Sequence, residues 1–219
     1  MKATLKILLP IPIFICILVF ITPAISQVKI DHARIDSLQT VLSEIPGNDT
    51  SRVRILKSLS KLYLHKDARQ SINYAQEAVE QSERLNLPAD AMIYVYMAKA
   101  YSRIPDNENA LSNFKTALSI AEEQKDTSSM ATVHNATGIH YYNLRNVPAA
   151  LYEFNKAIEY GQMLQERQIL ADAWFGKALA YNTFEEFKGM NDALQQYLAF
   201  ADTNKEQRKI ITCNIFNRR

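Results

Sequence analysis

Four histidines, His32, His65, His134 and His140, are the side chains best suited to acid–base or metal chemistry. A metal site on one helix needs ligands three or four residues apart, so that both leave the same face. No pair of these histidines has that spacing. His134 and His140 stand six apart and leave a helix in different directions. His134 reads as a structural residue of the core. The doublets Glu122-Glu123 and Glu185-Glu186 offer paired carboxylates, but sequence neighbours on a helix face apart, so they read as solvated surface. Cys16 and Cys213 have no setting that would activate a nucleophile, and there is no Gly-x-Ser-x-Gly elbow or glycine-rich phosphate loop. We therefore expect no catalytic, metal-binding or cofactor-binding residue, and a protein that is not an enzyme. Eleven tyrosines, Tyr94, Tyr96 and Tyr141-Tyr142 among them, could stack on bases or sugars. Their spacing, below, gives most of them a packing role.

The elements that would position these groups are helical. The chain has 219 residues, 47% of them apolar, and only five glycines, too few for a turn-rich β fold. The first residues are a targeting segment. Lys2 and Lys6 precede an uncharged apolar run from Ile7 to Ile25, and Ala24 and Ser26 form a small-residue cleavage signal before Gln27. Cleavage after Ser26 is the expectation. The alternative is an uncleaved membrane anchor through residues 7–25, against which Pro10, Pro12 and Pro23 argue. Ile15 before Cys16 is too bulky for lipoprotein processing. Removing two lysines leaves 25 − 2 = 23 basic side chains against 23 acidic ones, so the net charge of +2 vanishes and with it any case for nucleic acid. Cys213 then stands alone, without an internal disulfide partner.

Beyond Gln27 apolar residues recur three and four apart. Ile35, Leu38, Val41, Leu42 and Ile45 form an N-terminal stripe over 27–47 that stops at Pro46-Gly47, with Gly47 closing the helix. Asp49, Thr50 and Ser51 offer N-caps for the next helix. Breaks follow at Leu87-Pro88, Pro105-Asp106-Asn107, Lys125-Asp126-Thr127 and Asn146-Val147-Pro148. Eight or nine helices and no sheet are predicted.

The helices repeat. Tyr63, Tyr101, Tyr141 and Tyr181 are 38, 40 and 40 residues apart, each three residues after Ser60, Ala98, Gly138 or Ala178. Ala110, Phe114 and Ala117 recur as Ala150, Phe154 and Ala157, with Ser71, Ala75 and Ala78 in the first unit. The last unit offers Ala193, Tyr197 and Phe200 after a turn about three residues longer. A small residue lets two helices approach, and the Tyr one turn later fills the gap between them. Such pairs bury their apolar faces only by stacking.

This pattern resembles the tetratricopeptide repeat over roughly residues 52–203, most clearly in 91–124 and 131–164. The resemblance implies an all-α, right-handed α-solenoid of about four helix–turn–helix units, over 48–203, behind the N-terminal helix. The stretch from Ile35-Asp36-Ser37-Leu38 to Asn73-Tyr74-Ala75-Gln76-Glu77-Ala78, and the tail Tyr197 to Thr203, look like exported bacterial tetratricopeptide proteins. Those proteins often form the extracytoplasmic part of sensor histidine kinases. Here 204–219 follows as a short tail with no kinase or DNA-binding domain, so a truncated or split sensor is the alternative expectation. In the family the first helix of each pair lines a concave groove. Helical phase then assigns Arg54, Lys57 and Lys61 to that groove from the first unit, and Val95, Lys99 and Arg103 from the second. The third supplies Asn135, Ile139, Tyr142 and Asn143, and the fourth Phe175, Leu179 and Asn182. Lys61 and Tyr96 occupy places where the family's chaperone-binding carboxylate clamp needs Asn, so that clamp is not expected. The resemblance implies a scaffold for a protein or peptide ligand, periplasmic or at the cell surface, in bacterial envelope signalling or assembly.

Overall fold

A computed structural model of the chain describes residues 31–201. The expected targeting segment with Cys16, the first residues of the stretch 27–47 expected to be helical, and the tail with Cys213 lie outside the described residues. Within them are nine helices and no strand. Helix α1 covers 31–44. The others are α2 (Ser51–Tyr63), α3 (Ala68–Arg84), α4 (Ala91–Arg103), α5 (Asn107–Glu123), α6 (Thr127–Asn143), α7 (Val147–Leu164), α8 (Arg167–Thr183) and α9 (Phe187–Phe200).

The helix boundaries follow local chemistry. Asp67, Asp90, Asp106, Asp126 and Asn146 each cap a helix by accepting from backbone N–H groups of the first turn. The Ser129 hydroxyl and backbone N–H donate to Asp126 and hold its carboxyl below the usual carboxylate range. At α2 the cap differs from expectation. Thr50 makes no side-chain cap bond; Asp49 Oδ1 accepts from the Ser51 N–H at 2.7 Å and from its hydroxyl at 2.6 Å. Gly47 does not close α1 through a left-handed turn, since no described glycine has positive φ. Its carbonyl instead accepts from Gln81 Nε2 at 2.5 Å, tying the α1–α2 loop to α3.

The forty-residue period has a simple origin. Helices α5 to α9 begin at Asn107, Thr127, Val147, Arg167 and Phe187, twenty residues apart. Lys125, Arg145, Gln165 and Glu185 end the preceding helices with φ of 54°, 60°, 55° and 56°. The N–H of the next residue then reaches back to the last turn: Asp126 to Ala121 O, Asn146 to Tyr141 O, Glu166 to Gly161 O and Glu186 to Tyr181 O. That is a Schellman closure. The residue that completes it is also the N-cap of the following helix, so the turns within and between units have one design. The last unit therefore has no longer turn. Its residues in direct register with Ala150, Phe154 and Ala157 are Met190, Leu194 and Tyr197, all buried, while Phe200 is only partly covered. The expected set had slipped by about one helical turn, because Ala193 and Tyr197 mimic the small–large pattern on an adjacent face.

Each helix packs on its sequence neighbours, and α2, α4, α6 and α8 also touch the next member of their own series. Among α3, α5, α7 and α9 such contacts are at most marginal. Even helices are thus crowded on the inside of a curve, and they form the concave wall. Phe154 of α7 wedges between α6 and α8. A Cβ built on Gly138 would stand 2.8 Å from its ring, and one on Gly176 2.4 Å from it. Phe154 is 1% exposed, so the ring has nowhere to go. At the other end α1 closes the stack. Ile35 is buried, Leu42 packs on the cluster around Val53, Leu56 and Ile72, and Gln39 Nε2 donates to the Tyr63 and Tyr74 hydroxyls. Arg52 Nη1 donates to the Leu42 and Ile45 carbonyls and satisfies the C-terminal end of α1.

Candidate functional site

The thirteen residues assigned to the groove all lie on the inner helices, but helical phase separates them into two sets. One set turns toward the adjoining helix. Lys57 forms an ion pair with Asp90 Oδ2 at 2.5 Å. Val95 is 0% exposed and packs with Ala98, Phe114 and Ala117. Asn135 has its Oδ1 buried without a hydrogen-bond partner. Phe175 is half-buried against Tyr197, ring centroids 5.2 Å apart. These four stand three residues before the small residue of their unit. Val95 is a correction, since packing claims it. Tyr142 is a correction in part: it is half-buried against the cluster of Val147, Ala150, Phe154 and Ala180.

The second set is open. Arg54, Lys61, Arg103 and Asn143 are exposed, and Ile139 is 42% exposed, an unusual degree for an isoleucine. Lys99, Leu179 and Asn182 are half-buried.

Between α4 and α6 the wall opens into a cavity of about 230 Å³. Lys99, Arg103, Ile139 and Asn143 line it, together with His65, Ser102 and His140. Leu64, Phe114 and Ala136 supply its remaining apolar surface. Among the described residues no carboxylate lines it. Its cations feel one another. Burial, then the charges of Arg103 and Lys99, hold His65 below the usual histidine range. Burial lowers the Lys99 pKa, Asp172 across the wall raises it, and Lys61 lowers it further. Neither Lys99 nor Arg103 makes an ion pair among the described residues. The cavity therefore carries positive charge that the fold offsets only from across the wall, through Asp172.

His140 is 3% exposed and sits beside Phe114, ring centroids 5.8 Å apart. Its Nδ1 is 2.8 Å from Ser102 Oγ, which also lies 2.9 Å from the Ala98 carbonyl. Nδ1 donates to that hydroxyl or accepts from it according to the tautomer. Burial lowers the His140 pKa and favours the neutral ring. Nε2 is buried and without a partner. His134 follows the structural reading: it is buried, its Nδ1 is 2.7 Å from Glu153 Oε2, and its ring stacks on Tyr160 at 5.6 Å.

Sequence reasoning missed His65, Ser102, His140 and Asp172. Three were available from the register already in use. His65 stands five residues after Ser60, as Arg103 and Asn143 stand after Ala98 and Gly138, and Asp172 stands six before Ala178, as Arg54 stands before Ser60. Ser102 shares the register of Tyr142 and Asn182. His140 had no such signal, because Ala100 and Ala180 hold its place in the flanking units. Among the described residues no three His, Cys, Asp or Glu side chains gather where they could hold a metal ion, and no helix is long and apolar enough to cross a membrane.

The chain matches no protein-family model and no curated protein sequence. Its fold matches solved helical-repeat structures. A Rap protein complexed with competence and sporulation factor superposes with a TM-score of 0.77 at 18% identity, over 85% of this chain and 54% of that one. Aspartyl phosphate phosphatase F from Bacillus subtilis gives 0.67 at 17% identity, over 76% and 44%. BtubC from P. vanneervenii gives 0.65 at 18% identity, over 88% and 82%. The chain thus spans about half the length of the first two. At these identities the likeness is one of fold, and the fold is the tetratricopeptide-like α-solenoid.

Proposed function

We propose that this chain is a non-enzymatic scaffold that binds a protein or peptide along the wall formed by α2, α4, α6 and α8. The observation that carries this reading is the cationic cavity between α4 and α6, which no carboxylate lines and in which neither Lys99 nor Arg103 makes an ion pair. Keeping Lys99 half-buried and unpaired costs stability, and such a cost is expected where a ligand supplies the missing charge. The cavity is smaller than the roughly 300–1,000 Å³ usual for whole small-molecule ligands. It fits one part of a longer ligand lying in the groove. A structural neighbour is a Rap protein complexed with competence and sporulation factor, which supports a binding role for this fold. The setting we propose is the bacterial envelope, in signalling or assembly, reached through the targeting segment at residues 1–26.

Photo-crosslinking in cells tests the binding face. A photoreactive residue at Lys61 or Asn143 on the inner wall should give a discrete adduct. The same residue at Tyr152 or Met163, exposed on α7, should give none. Equal adducts from both faces would contradict a concave binding surface.

A further inference from the structure

The outer helix α7 carries a face that its neighbours lack. Tyr152, Lys156, Glu159 and Met163 follow one another at steps of four, three and four residues, so they share one side of the helix. Tyr152 is 60% exposed and Met163 66% exposed. In the same register α5 has Ser112, Thr116 and Ser119, and α9 has Asp192, Gln196 and Ala199. Packing within the chain gives no reason for an aromatic ring and a thioether on this side of α7. We propose that this face is the contact between two copies of the chain, with the two α7 helices antiparallel about a twofold axis that passes between Ala157 and Ile158.

The order of the side chains selects that partner. A twofold contact is self-complementary, so each residue must suit the one at equal distance on the other side of the axis. Tyr152 and Met163 stand at equal distances from it, and so do Lys156 and Glu159. Each ring then meets a thioether of the other copy, a favourable sulfur–aromatic contact. Each ammonium meets a carboxylate of the other copy. Within one chain Lys156 Nζ already donates to Glu159 Oε2 at 2.9 Å, and the two side chains remain 36% and 50% exposed. Pairing sets these two ion pairs side by side with alternating charge. Parallel helices would put Lys156 against Lys156 and Glu159 against Glu159, so charge fixes the direction. An unrelated protein or a membrane surface would have no reason to match this symmetric order. One helix on one helix buries less than the roughly 1,200 Å² of a standard interface, so the dimer is a weak one. It joins the convex sides. The two inner walls then face outward, and a ligand with two binding segments gains from engaging both. Each contact occurs twice, so replacing Tyr152 or Met163, as the crosslinking control does, removes the other copy from this face.

Sedimentation equilibrium of the chain purified after export, from about 1 to 300 μM, tests the pairing. The parent should show a monomer–dimer equilibrium and no larger species. Lys156→Glu sets like charges against each other and should weaken the dimer at least about tenfold. Lys156→Glu with Glu159→Lys makes the charges opposite again and should recover the parent affinity to within about threefold. Tyr152→Ser with Met163→Ser should leave a monomer of unchanged helicity, since both side chains are largely exposed. A monomeric parent, association beyond the dimer, or a charge-swapped chain no tighter than Lys156→Glu would overturn the pairing.

Discussion

Phe114 and Phe154 hold the same place in successive units, forty residues apart, yet their surroundings differ. Phe154 sits between Gly138 and Gly176. The residues in the same register around Phe114 are Ala98 and Ala136, and Phe114 packs with both. Two glycines let the inner helices α6 and α8 close on the ring. Around Phe114 two alanine methyls stand where the glycines stand around Phe154, and beside its ring lies the cavity that Lys99 and Arg103 line. One repeat design thus yields a sealed joint in one place and an opening in the next, by the difference of a methyl group on each side. Function on a repeat scaffold is placed where the packing is relaxed.

The largest expected effect bears on the sealed joint. Phe154→Ala should cost about 3–5 kcal/mol in chemical denaturation. Phe114→Ala should cost at least about 1 kcal/mol less, because part of its ring already faces an opening. Equal losses would erase the contrast. Next, Gly176→Ala should destabilise the fold by about 1–3 kcal/mol through overpacking against Phe154, and Gly138→Leu by at least as much. The reciprocal Ala136→Gly should cost no more than the ordinary helix penalty of about 1 kcal/mol. If Gly176→Ala were neutral, the ring would not be tightly held.

The open joint gives the opposite expectation. Lys99→Met with Arg103→Gln should leave stability within about 0.5 kcal/mol of the parent or raise it, since it relieves burial of an unpaired charge. A large loss in urea melts would mean that the two cations stabilise the fold. Acid should weaken both joints, but chiefly the open one. His65 and His140 have folded pKa values below the ordinary 6.5, so the unfolded chain binds more protons. The stability they confer is present above 6.5 and is lost as pH falls below it toward their lowered values. Urea melts between pH 7.5 and 5 should show that decline, and His65→Asn should flatten it. The smallest effect is at a turn. Arg145→Gly should stabilise by about 0.5 kcal/mol, because glycine adopts the left-handed C′ conformation without strain. Thermal melts would register a small rise, and a drop would mean that the Arg145 side chain contributes more than its backbone costs.

The fold was largely legible because its determinants are periodic. The small residue and Tyr pairs and the Phe wedges recur about forty residues apart, the capping Asp residues mark helix starts, and each has a local physical reason. The last unit was misread where Ala193 and Tyr197 imitate the motif one turn away from Met190 and Leu194. Gly176 went unnoticed because its partner is a residue of another helix, and no local pattern shows which ring a glycine must admit. The site was legible only in part for the same reason. Lys61, Lys99 and Arg103 follow from helical phase. The loss of Lys57 to Asp90 and of Val95 to the core depends on how far α4 rotates against its neighbours. His140 enters the cavity through Ser102, a contact spanning 38 residues that no spacing rule predicts.

The central claim is that Lys99 and Arg103 place positive charge, held in no ion pair, in a cavity shared with His65. The most direct measurement is the His65 pKa by NMR in the full chain and in Lys99→Met, with no ligand present. The account predicts a value below 6.5 in the parent and a higher one in the variant, as one repelling charge is removed. A parent value at or above 6.5, or no change in the variant, would contradict it.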